Sequence, residues 1–258
     1  MPIYEPDHVE YVIATGNMRV VLDDGREMLG YWSHPDIGGL FPGIVLIHDW
    51  WGITDLERSI AQLFAQMGHY VIVPDLYDGV VAQTPQEAMK LVEQVGEAGF
   101  KRIDSALTAL EHHMRCNGAV AAVGFGMGGS LAFEAACTRH DIEAAVAFYG
   151  FPHRYIKRIK NAPVPILAFY GTAEPYVTQK VIGMLKEEFD GAPSQHELVM
   201  LPNVARDLFN IGQSQQGAEI SKRVIGKTAA FLEKHLIAVR SGSARLTHDI
   251  RKNSPPNV

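Results

Sequence analysis

The sequence predicts an α/β fold in which a mostly parallel sheet carries helices on both faces. Three observations support this. Uninterrupted apolar runs at residues 43–47, 70–73, 119–123, 144–149 and 164–170 suit strands buried on both sides. Segments with apolar residues at helical spacing fall between several of them. The stretch from Gly118 to Phe133, G-A-V-A-A-V-G-F-G-M-G-G-S-L-A-F, passes from strand to helix through a dense set of glycines.

Composition sets the outer bounds. The chain has 258 residues, 47% hydrophobic and 20% charged, enough for one large domain with a substantial core. Its 23 Lys and Arg against 29 Asp and Glu leave a net charge of −6, which offers no bulk attraction for nucleic acid. No apolar run reaches the roughly 18 residues of a membrane span, and the opening M-P-I-Y-E-P-D-H lacks the pattern of a secretory leader. Two cysteines, Cys116 and Cys137, make no disulfide framework. These features point to a cytoplasmic location; a small-molecule partner, no cofactor and a monomer or homodimer are further expectations that composition does not supply.

In chain order, residues 9–14, 18–22 and 27–33 read as three short antiparallel strands, with a turn at Gly25. Residues 35–42 form a loop and 43–47 a buried strand, ending in H-D-W-W-G. Thr54 caps a helix with Leu56, Ile60, Leu63, Phe64 and Met67 at helical spacing, stopped by Gly68. His69, just past that stop, is expected at the surface. Residues 70–73 form the next strand, closed by P-D-L-Y.

A helical region over 85–114 is weakened by Gly96 and Gly99. The glycine turn follows, with a helix from Ser130 to about Thr138. Residues 144–149 and 164–170 are strands. Between them R-Y-I-K-R-I-K, residues 154–160, has the alternation of an amphipathic surface helix. A helix over 177–189, a strand over 196–201 and a helix over 218–235 complete one domain at residues 1–240. Residues 241–258 lack apolar periodicity and read as a tail, flexible or packed on a partner subunit.

In such sheets the pocket lies beyond the carboxyl ends of the strands. The candidates there are His48, Asp49, Trp50, Trp51, Asp75, Tyr77, Gly126, Met127, Tyr149, Glu174, Arg206 and Asp207. A strand turning through G-x-G-x-G into a helix is the nucleophile elbow of α/β-hydrolases, and elbow, then acid, then a third group is their chain order. The elbow's middle position is Gly126, which has no side chain to attack with. A dinucleotide-binding turn is the weaker reading, because no early βαβ unit carries the glycines.

The segments H-D-W-W-G, V-P-D-L-Y, G-F-G-M-G-G, F-Y-G-T-A-E-P-Y-V and R-D-L-F-N together resemble the dienelactone hydrolase (carboxymethylenebutenolidase) family up to about Leu236. The resemblance implies an α/β-hydrolase fold and a Cys–His–Asp triad acting on lactones or esters of small carboxylic acids. Gly126 stands at the cysteine place, Glu174 at the aspartate place and Asp207 at the histidine place. Asp49 matches the acid that interacts with the cysteine, and the oxyanion donors would be the Trp50 and Met127 N–H groups.

A covalent acyl-enzyme is therefore excluded in its usual form. The leading expectation is noncovalent action on a small carboxylate-, ester- or lactone-like substrate. Asp207 or Glu174 would be the base, with His48 as a second proton-transfer group and an open oxyanion hole. Trp51, Tyr77, Gly126, Tyr149 and Arg206 would line the pocket, Arg206 available for a carboxylate. The alternative is an inactive binding protein that keeps the pocket. A metal site from His48, Asp49, Glu174 and Asp207 is a third reading, set back by the lack of any metal-ligand spacing, and nucleic-acid binding ranks below it.

Overall fold

The computed structural model describes residues 10–22, 25–206, 208–209 and 215–236. Asp207 and the tail from residue 241 lie outside the described residues. In order, the elements are β1 (Ile13–Val21), β2 (Glu27–Pro35), β3 (Phe41–Ile47), α1 (Asp55–Gln66), β4 (Tyr70–Pro74), α2 (Pro85–Val95), α3 (Ala98–Glu111), β5 (Cys116–Phe125), α4 (Met127–Thr138), β6 (Ala144–Phe148), β7 (Ile166–Gly171), α5 (Gln179–Asp190), β8 (Glu197–Leu201) and α6 (Gln215–Leu236). The strands form one sheet in the order β1-β2-β4-β3-β5-β6-β7-β8. β1 and β2 pair antiparallel, β2 joins β4 antiparallel, and the pairings from β4 to β8 are parallel.

Burial follows the sequence pattern. β3, β4 and β6 are buried at every residue, as strands between two helical layers must be, whereas β1 at the edge alternates. On α1, Ile60, Ala61, Phe64 and Ala65 face the sheet, while Leu56 turns outward. Phe125, Phe148 and Phe169 stack across three neighbouring strands at 4.9 and 5.2 Å, and Phe209 meets the first two edge-on at 5.2 and 5.0 Å. Each such ring removed from water is worth about 1.5–3 kcal/mol.

Register decides which residues meet above this floor. Ile47 on β3 lies level with Gly124 on β5, so two residues later Asp49 comes beside Gly126. Phe125 is level with Phe148, which brings Tyr149 to the other side of Gly126. α4 then begins at Met127, three residues earlier than the sequence suggests. Its first turn presses onto β3: a Cβ on Gly128 would lie 2.2 Å from the Ile47 carbonyl oxygen, so glycine is what permits the approach.

Other expectations are corrected. The first two short strands are a single strand through Gly16 and Asn17, because Trp32 of β2 lies over Gly16 and donates its indole N–H to the Asn17 carbonyl. Residues 151–160, basic and irregular in sequence, are a run of turns that ends in a short 3-10 helix at Ile159–Asn161, and the amphipathic surface helix that the alternation of 154–160 also suits does not form. The Tyr155 and Ile156 N–H groups both donate to the Pro152 carbonyl, and Lys157 has a φ of 76°, which a helix does not allow. His69 is buried, with Nδ1 3.0 Å from the Phe64 carbonyl oxygen, and burial lowers its pKa to about 4. The long helical region does break at Gly96, whose φ is 47°. Among the described residues no helix is long and apolar enough to cross a membrane.

Candidate active site

The strand ends enclose a cavity of about 390 Å³ lined by Asp49, Trp50, Trp51, Thr54, Leu56, Glu57, Tyr149, Tyr176, Arg206, Leu208 and Phe209. Trp50 and Trp51 meet edge-on at 5.2 Å and form one wall. The elbow residue Gly126 has a φ of 49° and ends β5 at the base of this region.

The space over Gly126 is filled. A Cβ on Gly126 would lie 2.1 Å from Asp49 Oδ1, 2.6 Å from its Cγ and 2.7 Å from Oδ2. The Asp49 carboxylate thus stands where a side chain at 126 would stand. The Trp50 N–H donates to Asp49 Oδ1 at 2.8 Å and the Met127 N–H donates to the same oxygen at 3.1 Å. The two donors expected for a substrate oxyanion do converge on one point, and Asp49 holds that point. Among the described residues, Oδ2 accepts no hydrogen bond. Burial pushes the Asp49 pKa up to about 6, against the lowering effects of the two N–H bonds and the Arg206 charge.

Glu174 is not free to act as a base. Its side chain is fully buried, accepts from the Tyr176 N–H at 2.9 Å and the Val177 N–H at 3.3 Å, and takes Arg206 Nε at 3.0 Å. Arg206 in turn donates from Nη2 to the Tyr149 carbonyl at 3.0 Å. Its guanidinium lies 4.8 Å from the Tyr149 ring centre, 5.0 Å from Phe151 and 4.8 Å from Tyr176. An ion pair inside an aromatic cage is more rigid than either charge alone. The expectation of an Arg206 available to a ligand carboxylate is corrected: Glu174 already meets that charge. Tyr149 pays for the geometry with a φ of 42°, a left-handed conformation costly for a side-chain-bearing residue.

His48 is a brace. Its Nδ1 lies 2.6 Å from the Asp49 carbonyl oxygen and its Nε2 accepts the Leu76 N–H at 3.1 Å, so both ring nitrogens are spent joining the ends of β3 and β4. Full burial lowers its pKa and keeps the ring neutral. The role of proton carrier is therefore corrected for this residue. Tyr77 is also displaced from the expected wall. It packs edge-on against His48 at 4.8 Å, donates to the Met127 sulfur at 3.4 Å, and lines a separate cavity with Leu91, Val95 and Arg102.

Glu57 was missed as a site residue. It completes the capping box of α1, accepting from the Thr54 N–H at 2.8 Å and from the Thr54 hydroxyl, yet it is buried on the cavity wall. The signal that could have found it is the Thr54-x-x-Glu57 spacing just after H-D-W-W-G, which sets an acid on the first turn beyond a strand end. Tyr176 was missed too, although it lies within the F-Y-G-T-A-E-P-Y-V stretch. Among the described residues no three His, Cys, Asp or Glu side chains gather as a metal site.

The model of the dienelactone hydrolase family matches residues 28–236. The chain belongs to that family. It is similar to Protein usf of Aquifex pyrophilus, 31% identical over 182 residues that cover 67% of this chain and 78% of that protein. It is also similar to carboxymethylenebutenolidase 1 of Cupriavidus pinatubonensis, 28% identical over 161 residues, 57% of this chain and 68% of the relative. Dienelactone hydrolase from Anabaena variabilis shares the fold with a TM-score of 0.65 at 18% identity, over 87% of this chain and 99% of that one. Within this family frame the chain carries glycine at the elbow and an acid over it.

Proposed function

We propose that this dienelactone-hydrolase-like chain is an enzyme for small organic molecules whose reactive group is the Asp49 carboxylate, working without an acyl group on residue 126. The observation that carries this reading is the seating of Asp49: Oδ1 is fixed by two N–H donors in the nucleophile's space, with a pKa raised to about 6. A carboxylate with that pKa is ionised at neutral pH yet basic enough to take a proton, the condition for general-base catalysis. Oδ2 would take a proton from water, or from a C–H next to a carbonyl, in a substrate held between Trp50, Trp51 and Tyr176. Asp207, next to Arg206, stays a candidate second acid on sequence grounds.

A small ester or lactone remains the substrate class the family suggests, and the filled hole narrows how it is handled. The carbonyl oxygen would have to displace Asp49 to reach the Trp50 and Met127 donors, so water activation or proton abstraction fits better than carbonyl addition in the hole. A second reading, a binding protein without turnover, draws on the same filled hole and on the Glu174–Arg206 pair, which ties that acid into an ion pair.

The test is a product-detected panel of lactones, enol esters and aryl esters with the parent, Asp49→Asn and Asp207→Asn. Turnover lost in Asp49→Asn supports the proposal. Turnover kept in Asp49→Asn overturns it, and loss confined to Asp207→Asn moves the base to Asp207. No turnover across the panel, with saturable ligand binding, favours the binding protein.

A further inference from the structure

We infer that Asp49 is also a nucleophile toward saturated carbon, and that the site accepts small neutral molecules bearing a leaving group on an sp3 carbon, such as alkyl halides and epoxides. This rests on the reading of Asp49 as the reactive group and adds the bond that it makes.

The geometry carries the step. The Asp49 carboxylate occupies the attacking group's position, with Oδ2 within 2.7 Å of where a Cβ on residue 126 would be. Both N–H donors of the elbow region point at Oδ1 of the same carboxylate. Donors fixed before reaction stabilise charge only where they already aim. The tetrahedral centre they can serve is therefore one formed at Asp49 Cγ. Such a centre arises when an ester of Asp49 is hydrolysed. A carboxylate that attacks a carbonyl would make an anhydride, which reverts readily. One that attacks saturated carbon makes an alkyl ester, which water then cleaves at Cγ.

The balance is as follows. Oδ2 donates an electron pair to the substrate carbon, the C–O bond forms, and the carbon–halogen bond breaks to release halide; an epoxide ring oxygen leaves as alkoxide and takes a proton from water. Water then adds to Cγ, giving a proton to Glu57, a buried carboxylate on the cavity wall. Negative charge gathers on Oδ1 between the Trp50 and Met127 N–H groups. The Cγ–Oδ2 bond breaks, Oδ2 departs in the product alcohol with the proton from Glu57, and the water oxygen stays in Asp49, which releases the second water proton to solvent and is again a carboxylate. Nothing is oxidised or reduced.

The experiment is a single turnover in H₂¹⁸O with protein in excess over 1-bromobutane or 1,2-epoxybutane, read by peptide mass spectrometry with fragmentation to locate the label. The expected result is an Asp49 heavier by about two mass units beside an unlabelled alcohol oxygen, since the water oxygen enters the carboxylate. In Glu57→Gln, which keeps the capping hydrogen bonds, Asp49 should carry the trapped alkyl group. Label in the product with an unlabelled Asp49 overturns the nucleophile and leaves Asp49 as base. No consumption of either electrophile, while esters still turn over in an Asp49-dependent way, also overturns this inference alone. Turnover that survives in Asp49→Asn overturns both readings.

Discussion

Asp49 and Gly126 share one site: the carboxylate of the first fills the space that a side chain on the second would need. The contact follows from register, since Ile47 and Gly124 lie level in neighbouring parallel strands and each chain runs two residues further. Glycine at 126 and aspartate at 49 are thus one feature of the molecule and not two separate losses.

A cysteine at position 126 should therefore be poorly accommodated. Gly126→Cys places Cβ 2.1 Å from Asp49 Oδ1 and puts a side chain at a φ of 49°. Overpacking of this kind costs about 1–3 kcal/mol. Thermal melts should show that loss, and Asp49→Ala in the same chain should recover most of it, giving a coupling that a double-mutant cycle measures.

Replacing the carboxylate without changing its shape separates chemistry from packing. Asp49→Asn keeps an oxygen able to accept the Trp50 and Met127 N–H groups. Its melting temperature should match or exceed that of the parent near pH 8, while turnover falls at least about 10²-fold, the usual contribution of a positioned base.

The Asp49 pKa fixes the sign of two pH dependences. It rises from 3.8 to about 6 in the folded chain, so the native state binds this proton more tightly than the unfolded chain does. The associated stability is fully present below pH 3.8, is lost as pH rises through about 6, and amounts to at most about 3 kcal/mol. Urea melts of the parent minus those of Asp49→Asn should decline over that window and level off above it. Activity should move the opposite way, rising through pH 6 as the base ionises.

Arg206→Met removes the partner of a fully buried carboxylate. Breaking such a pair costs about 3–5 kcal/mol, because Glu174 is left charged without compensation. The double variant with Glu174→Gln should regain part of it in chemical denaturation. In both, the Asp49 pKa read from carbon-13 carboxyl titration should climb, since the Arg206 charge holds it down.

The sheet was legible in the sequence because strands buried on both faces leave unbroken apolar runs, and β3, β4 and β6 carry such runs. The strand ends in the sequence mark Asp49, Trp50, Trp51, Tyr149, Glu174 and Arg206. What one dimension hides is distance across the sheet. Nothing in H-D-W-W-G says that Asp49 reaches the elbow, or that Arg206 spends its charge on Glu174 in place of a ligand. His48 and Tyr77 sit at strand ends just as the others do, but His48 is tied to the Asp49 carbonyl and the Leu76 N–H, and Tyr77 lines a separate cavity. Asp207 lies outside the described residues, so its candidacy stands on sequence alone.

The pairing of Glu174 with Arg206 has a further consequence for what can enter. With Glu174 paired to Arg206, the carboxylates of Asp49 and Glu57 on the described cavity wall outnumber the cation there. Such a field acts as a gate on admission: uncharged molecules pass, anions pay a toll that added salt reduces. The same field would hasten the departure of any anionic product, so turnover and selectivity would draw on one arrangement of charge.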